Sequence, residues 1–185
     1  MSKELFKRII SSVILIPLVF YFILSGSLYT IFFIIICFII ACYEWSKLCK
    51  NKSHKYFGFI FLLFSFYSFY DLSMELSLLI FVILICISTD IGGYVFGKIF
   101  NGPKLTTISP KKTYAGVLGG YLLSLICLLT ITKFIDYQGT ILKLFLITIL
   151  LSTVSQIGDI IISYFKRQAG VKNTGNLIPG HGGLL

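Results

Sequence analysis

Charged side chains are scarce in this sequence, and their scarcity excludes most soluble protein classes. Charged residues make up 12% of the chain and hydrophobic residues 57%, whereas a soluble domain carries roughly 25% charged residues. The mean hydropathy is +0.94. No soluble segment carries a basic stripe interleaved with aromatic residues, which argues against nucleic acid as a partner. We therefore expect a membrane protein.

Metal-type cysteine pairs are also missing. The five cysteines are Cys37, Cys42, Cys49, Cys86 and Cys127. Their spacing does not fit a metal site, and most lie within apolar runs, where a thiol acts as a small apolar side chain. The sequence contains no internal repeat, no low-complexity linker and no separate soluble segment. We predict a single transmembrane domain over residues 1–185.

Long apolar runs dominate the sequence. Six of them recur, at residues 9–24, 28–43, 57–70, 76–90, 115–132 and 141–158. Several are shorter than the roughly 20 residues that cross a bilayer, so we expect their helices to extend into polar flanks. The runs do not alternate in polarity, which excludes a membrane barrel. The predicted fold is an all-α, polytopic membrane helical bundle of about six transmembrane helices.

Lysine and arginine positions predict the orientation of these helices. If the N-terminus is cytoplasmic, six spans return the C-terminus to the same side. Fourteen of the sixteen basic residues then face the cytoplasm, and Lys133 and Lys143 lie opposite. This asymmetry is typical of positive-inside insertion. The first run, preceded by Lys7 and Arg8, is similar to a secretory signal, but the spans that follow at once favour an uncleaved helix.

Polar residues mark the ends of two spans. Asp90, Tyr94 and Gly97 share one helix face. Gly93 and Gly97 are spaced so that another helix can approach closely. An ionisable residue near a span end usually has a function, which makes Asp90 a candidate site residue; the alternative is an interfacial aspartate that reaches water. Glu44-Trp45 is interpreted as an interfacial aromatic residue with a capping acid, in a structural role.

A basic loop follows the fourth span. Pro110, followed by Lys111, Lys112 and Thr113, would start a helix whose free amides and cations face an anion. A loop that only anchors the membrane topology is the alternative. We predict catalytic cytoplasmic loops at about 91–114 and 163–185.

The sixth span carries a polar stripe. Its members are Ser155, Gln156, Asp159, Ser163, Lys166 and Arg167. Such a face on a membrane helix must look into the protein or into a water-filled cavity. Asp159 suits Mg²⁺, which prefers carboxylate oxygens and shares its ligand shell with substrate phosphates. The alternative is a buried pair between Asp159 and a basic residue.

Cations and glycines follow this stripe. Lys166, Arg167 and Lys172 suit phosphate groups, and Arg167 can make a bidentate contact. The sequence Pro179-Gly180-His181-Gly182-Gly183 cannot be helical, and its amides can approach an anion closely. His181 is a candidate phosphate donor or proton carrier. The combination favours a charged, phosphate-bearing substrate at a membrane surface.

Together these residues resemble the phosphatidate cytidylyltransferase family, the CDP-diacylglycerol synthases. The family signature reads Ser-x-x-Lys-Arg, four residues, Lys-Asp, then Pro-Gly-His-Gly-Gly, two residues and Asp-Arg. The residues that match it are Ser163, Lys166, Arg167, Lys172 and Pro179 to Gly183. Further similarity lies in Lys7-Arg8 to Pro17, Tyr43-Glu44-Trp45, Asp90 to Gly97, Ser109 to Thr113 and Ser155 to Asp159.

The resemblance implies transfer of a cytidylyl group from CTP to phosphatidate, with CDP-diacylglycerol and pyrophosphate as products of a step in phospholipid biosynthesis. It implies Mg²⁺ held by Asp159, and catalytic contacts from Lys166, Arg167, Lys172 and His181 to phosphates. The implied substrate-binding residues are Asp90, Lys111, Lys112, Ser155, Gln156, Ser163, Gly180, Gly182 and Gly183. The site would face the cytoplasm from the cytoplasmic (inner) membrane, and a homodimer is left open.

Two features depart from the signature. Asn173 stands where the family has aspartate, and the sequence stops at Leu185, before the closing Asp-Arg. Because that aspartate counts among the family's metal-binding residues, we expect a C-terminally truncated member that holds metal weakly. Two alternatives stay open: an inactive fragment of that enzyme, and a small cation transporter that uses Asp90 and Asp159. Clustered positive charge argues against the transporter.

Overall fold

The computed structural model describes residues 3–133, 139–180 and 182–185. Within them lie six helices, α1 (Lys3–Leu24), α2 (Ser27–Leu48), α3 (Lys52–Ser73), α4 (Leu76–Phe100), α5 (Tyr114–Ile131) and α6 (Ile141–Gln168). Extended pairing in these residues is limited to two isolated bridges, Lys104 with Thr113 and Ile178 with Gly182. The all-α prediction is confirmed.

Helix length and apolar composition are those of a multi-pass membrane protein. Helices α2 to α6 are each long and apolar enough to cross a membrane, whereas the apolar part of α1, Ile10–Leu24, is shorter. Large apolar side chains are widely exposed, for example Phe57 at 74% and Leu118 at 70%, as expected where lipid rather than water surrounds them. The helices also extend beyond the apolar runs, as predicted: α6 continues to Gln168.

Two predicted boundaries in the basic loop were wrong. Helix α4 continues through residues 91–100, because this segment stays apolar and its glycines pack against α5, so the loop covers only 101–113. Pro110 does not start a helix. It follows Ser109 in a turn closed by the Lys112 N–H on the Ser109 carbonyl at 3.0 Å, a position that suits proline's fixed φ. Helix α5 begins at Tyr114, with Thr113 as its N-cap.

The chain forms two compact units. One comprises residues 76–164 and the other comprises 1–75 with 165–185, within the described ranges. The prediction of one transmembrane domain stays a prediction. The core of the first unit joins apolar side chains from α4, α5 and α6, namely Phe81, Ile85, Leu128, Ile131 and Leu144.

Glycines allow α4 and α5 to pack backbone against backbone. A Cβ added to Gly116 would lie 2.7 Å from the Gly93 carbonyl oxygen, and one added to Gly97 would lie 3.1 Å from Thr113 Oγ1. A Cβ on Gly92 would overlap the Gly119 carbonyl. The predicted close approach at Gly93 and Gly97 is confirmed, and α5 is the approaching helix.

Candidate functional site

A cavity of about 290 Å³ opens in the unit formed by residues 76–164. Helices α4, α5 and α6 and the loop between α4 and α5 all contribute to its wall. Its polar and charged lining includes Asp90, Tyr94, Lys111, Lys112, Gln156 and Asp159. We call this the carboxylate cavity. Sequence analysis named five of these six residues as candidates. The fold brings them together although they lie up to about seventy positions apart in the sequence.

The glycine contacts of α4 and α5 position one wall of this cavity. Asp90 lies on α4 just before Gly92, where the two helices are in closest contact. The loop returns beside the start of α5, because the Tyr114 N–H donates to the Pro103 carbonyl at 3.1 Å and the Leu105 N–H donates to the Lys112 carbonyl at 2.8 Å. These bonds hold the backbone of Lys112 at the cavity edge.

An ion pair crosses the cavity from this loop to α6. Lys112 Nζ lies 3.1 Å from Asp159 Oδ2, and the two side chains are 26% and 61% exposed. Exposed ion pairs contribute little stability, about 0–1 kcal/mol, since water competes for both charges. The Asp159 carboxylate therefore has an exchangeable partner and remains accessible to a ligand.

The polar stripe of α6 continues inwards from Asp159. Gln156 Nε2 donates to Ser152 Oγ at 3.4 Å, and Thr89 Oγ1 donates to the same oxygen at 3.0 Å. Thr89 and Ser152 are buried. Gly120 leaves room for the Gln156 amide, since a Cβ there would lie 3.2 Å from Nε2. Gln156 and Asp159 thus face protein and a cavity, as the polarity of the stripe predicted for them.

Two predicted residues on α6 lie elsewhere. Ser155 and Ser163 are half-buried, but the described lining of the carboxylate cavity does not include them. Ser155 and Ser163 each lie four positions from Asp159, about 6 Å along the helix axis and rotated by about 40°, so both fall beyond the edge of the cavity although they belong to the same polar stripe. Their substrate-binding role stays a prediction.

The remaining predicted residues belong to the other unit. Lys166 Nζ donates to the Leu185 carbonyl at 3.4 Å, whereas Arg167 and Lys172 are exposed. His181 lies outside the described residues, so its predicted catalytic role is untested. Of the residues that match the family signature, Ser163 lies in the unit formed by residues 76–164.

The glycine-rich segment 173–185 is non-helical in its described residues, as predicted for Pro179 to Gly183. Gly180 and Gly182 have φ values of 85° and 100°, which favour glycine. The Gly182 N–H donates to the Ile178 carbonyl at 2.8 Å, and the Ile178 N–H donates back to Gly182 at 2.9 Å. In this conformation the Gly182 amide is occupied by the chain itself. A phosphate contact from Gly180 or Gly183 stays a prediction.

The Glu44 carboxylate accepts hydrogen bonds from the end of this segment, an interaction that sequence reasoning missed. The Glu44 side chain is 1% exposed. The Leu184 N–H donates to both carboxylate oxygens, at 3.1 and 2.9 Å, and the Leu185 N–H donates at 3.0 Å. A Cβ at Gly175 would lie 2.8 Å from Glu44 Oε1. The one available signal was an acid directly after a long apolar run.

The interpretation of Glu44-Trp45 as an interfacial pair was wrong, although a structural role fits. Trp45 is 6% exposed and its ring packs edge-on against Phe165 at 4.7 Å. Its indole N–H donates to the Lys55 carbonyl at 3.2 Å. A Cβ at Gly58 would overlap this indole. Both side chains are buried within one unit because these partners enclose them.

The donor set of the carboxylate cavity suits a magnesium ion that also binds substrate. No cluster of three or more His, Cys, Asp or Glu side chains occurs among the described residues. The cavity instead combines the carboxylates of Asp90 and Asp159 with the Gln156 amide. Mg²⁺ is usually bound by one or two carboxylates, with water and substrate phosphates completing its shell. These residues fit that pattern.

Comparison with known proteins agrees with the resemblance seen in the sequence. The Cytidylyltransferase family matches residues 6–77 and 56–185. The chain is 43% identical over 122 residues to a phosphatidate cytidylyltransferase of Staphylococcus epidermidis, a match that covers 65% of this chain and 47% of the relative.

A phosphatidate cytidylyltransferase of Staphylococcus aureus is 42% identical over 122 residues, again 65% of this chain and 47% of the relative. One of Staphylococcus saprophyticus is 43% identical over 114 residues, 61% of this chain and 44% of the relative. The chain thus spans about half the length of the curated relatives it matches. No solved structure matches it. Because the family match extends over most of the sequence, the chain belongs to the Cytidylyltransferase family.

Proposed function

We propose that this protein transfers a cytidylyl group from CTP to phosphatidate, forming CDP-diacylglycerol and pyrophosphate in phospholipid biosynthesis. The observation that carries the proposal is the carboxylate cavity, where Asp90 and Asp159 line the same space as Lys111 and Lys112. Two anionic substrates must meet in this reaction, so both a metal-binding carboxylate and fixed cations are required. The names of the curated relatives support the same substrates.

The reaction needs positioning and charge stabilisation more than a protein nucleophile. A phosphate oxygen of phosphatidate attacks the α-phosphorus of CTP and forms the new P–O bond. The bond between the α-phosphorus and the oxygen bridging to the β-phosphorus breaks, and its electron pair leaves with pyrophosphate. Lys111 and Lys112 offset the charge of the approaching phosphates. Until substrate binds, the contact with Asp159 keeps the Lys112 ammonium at the cavity.

Magnesium is the proposed cofactor. Asp159 would be its main ligand, with Asp90 and the Gln156 amide as further donors. When bound, Mg²⁺ would neutralise phosphate charge and stabilise the charge that develops during transfer. The pair between Lys112 and Asp159 is solvated, so the Lys112 ammonium would be able to contact a substrate phosphate instead.

The proposed setting is the cytoplasmic membrane, with the site on the cytoplasmic side. The excess of lysine and arginine in the segments next to the cavity and after α6 supports this orientation. In the other unit, Lys166, Arg167, Lys172 and His181 are proposed phosphate contacts. The exposure of Arg167 and Lys172 keeps both side chains accessible to a substrate.

The test is product formation by the chain reconstituted in phosphatidate vesicles with CTP and Mg²⁺. We expect radiolabelled CTP to yield labelled CDP-diacylglycerol, and Asp159→Asn to lower turnover by at least about 100-fold, as loss of a key transition-state interaction does. Asp71→Asn is the matched control, because it makes the same carboxylate-to-carboxamide change at an exposed position of α3. It should keep full turnover. Absence of product from the unaltered chain, or full turnover in Asp159→Asn, would contradict the proposal.

A further inference from the structure

A second cavity, of about 430 Å³, opens in the same unit. Its lining includes three lysines, Lys98 at the end of α4 and Lys104 and Lys111 in the loop, together with Tyr94 and Thr113. We call it the lysine cavity. Sequence reasoning assigned Lys98 and Lys104 to membrane topology only.

The loop backbone fixes the positions from which these lysines extend. Lys104 pairs with Thr113 in an isolated antiparallel bridge, which brings the two ends of the loop together. Asn101 turns the chain out of α4 with a φ of 40°, a left-handed conformation that asparagine tolerates well. The lysines therefore extend from a closed loop rather than from a free chain.

The two cavities are adjacent. Tyr94, Lys111 and Thr113 line both. A ligand long enough to span these shared residues would therefore contact both cavities. The carboxylate cavity alone, at about 290 Å³, is at the lower limit of pockets for drug-sized ligands, roughly 300–1,000 Å³. A nucleoside triphosphate needs additional space.

The charges of the two cavities differ. Two carboxylates line the first, whereas no acidic residue occurs in the described lining of the second. The ion pair found among the described residues engages Lys112 and none of these three lysines. Lys98 Nζ lies 5.7 Å from the centre of the Tyr94 ring, a weak contact for an ammonium group. Three cations thus surround a space without a carboxylate counter-charge.

We propose that the lysine cavity binds the β- and γ-phosphates of the nucleoside triphosphate, and hence the pyrophosphate that leaves. This inference rests on the proposed function. The α-phosphorus would then lie at Lys111, between the lysines and the carboxylates. As the α–β bond breaks, negative charge develops on the leaving pyrophosphate, where Lys98 and Lys104 stabilise it. A lipid phosphate has the same anionic chemistry, so the experiment must separate the two sources.

The first experiment measures pyrophosphate binding by the full chain in nanodiscs, without CTP. The variant is Lys98→Gln with Lys104→Gln, which spares the shared Lys111. The matched control is Lys133→Gln with Lys143→Gln, which removes the same charge from exposed positions outside both cavities. We expect the dissociation constant to rise about tenfold in the variant, as for two exposed ion pairs, and less than twofold in the control.

The second experiment measures KM for each substrate in the same variants. We expect KM for CTP to rise with little change in KM for phosphatidate. A rise for phosphatidate alone would overturn the nucleotide assignment and identify a lipid-phosphate site. Unchanged pyrophosphate binding in Lys98→Gln/Lys104→Gln would overturn the inference even if the unaltered chain makes CDP-diacylglycerol. If that chain makes no product, the proposed function fails, whereas the pyrophosphate measurement still decides whether the subsite exists.

Discussion

Glu44 and Asp159 are both carboxylates on apolar helices, yet the two units use them differently. Glu44 is 1% exposed and accepts from the backbone N–H groups of Leu184 and Leu185. Asp159 is 61% exposed and contacts one lysine ammonium. A buried carboxylate bonded to backbone donors is inaccessible to a ligand, whereas an exposed one with a mobile partner can exchange that partner. The comparison supports a structural role for Glu44 and the proposed ligand-binding role for Asp159.

Removal of the Glu44 carboxylate should have the largest effect on stability. Glu44→Ala removes the acceptor of two part-buried N–H groups and empties a buried side-chain position, so we expect a loss of about 2–4 kcal/mol in the free energy of unfolding. Trp45, the single tryptophan of the chain, adjoins this site and reports unfolding by its fluorescence. Hydrogen exchange at Leu184 and Leu185 should also accelerate.

Glu75→Ala is the matched control for this change, since Glu75 is exposed just before α4. It should alter the free energy of unfolding by less than about 0.5 kcal/mol. Equal effects of the two alanine variants would remove the distinction between a buried and an exposed carboxylate on which the comparison depends.

Crowding the Glu44 carboxylate should have the next largest effect. A Cβ at Gly183 would overlap Thr174 Oγ1 and the Glu44 oxygens, so Gly183→Ala should cost about 1–3 kcal/mol. Gly158→Ala is the control: nothing lies within 4 Å of a Cβ there, and alanine should stabilise α6 by up to about 1 kcal/mol. Thermal unfolding of both variants measures the difference, and a neutral Gly183→Ala would mean that the segment can move away from Glu44.

Breaking the Asp159 ion pair should have the smallest effect on stability. Lys112→Gln should change the free energy of unfolding by less than about 1 kcal/mol, since the pair is solvated. Turnover should nevertheless fall, because Lys112 is also proposed to offset substrate charge. High salt should leave the unfolding midpoint of the unaltered chain nearly unchanged. A stability loss as large as that of Glu44→Ala would make this pair a structural one.

Local patterns in the sequence were sufficient for the helices and for much of the carboxylate cavity. Continuous apolar runs predict α1 to α6, and four-residue spacing predicts the inward polar face around Asp159. Glycine spacing at Gly93 and Gly97 predicts a close helix contact. These features depend on neighbours within one or two helical turns, which is the range over which sequence patterns are informative.

The features that sequence reasoning missed depend on distant contacts. Glu44 is buried by residues about 140 positions later, and no local pattern carries that information. Pro110 was misread because proline suits both the first turn of a helix and a β-turn. The lysine cavity was missed because Lys98 and Lys104 also satisfy the positive-inside pattern, and only the folded loop brings them to one space.

The most direct test of the comparison uses two isosteric changes, Glu44→Gln and Asp159→Asn, each measured for turnover and for unfolding by Trp45 fluorescence. We expect Asp159→Asn to lose at least about 100-fold in turnover with its unfolding free energy within about 0.5 kcal/mol of the unaltered chain. Glu44→Gln should lose about 1–2 kcal/mol of stability, because the amide nitrogen cannot accept a hydrogen bond. Full turnover in Asp159→Asn, or a stability loss there that exceeds that of Glu44→Gln, would contradict the account.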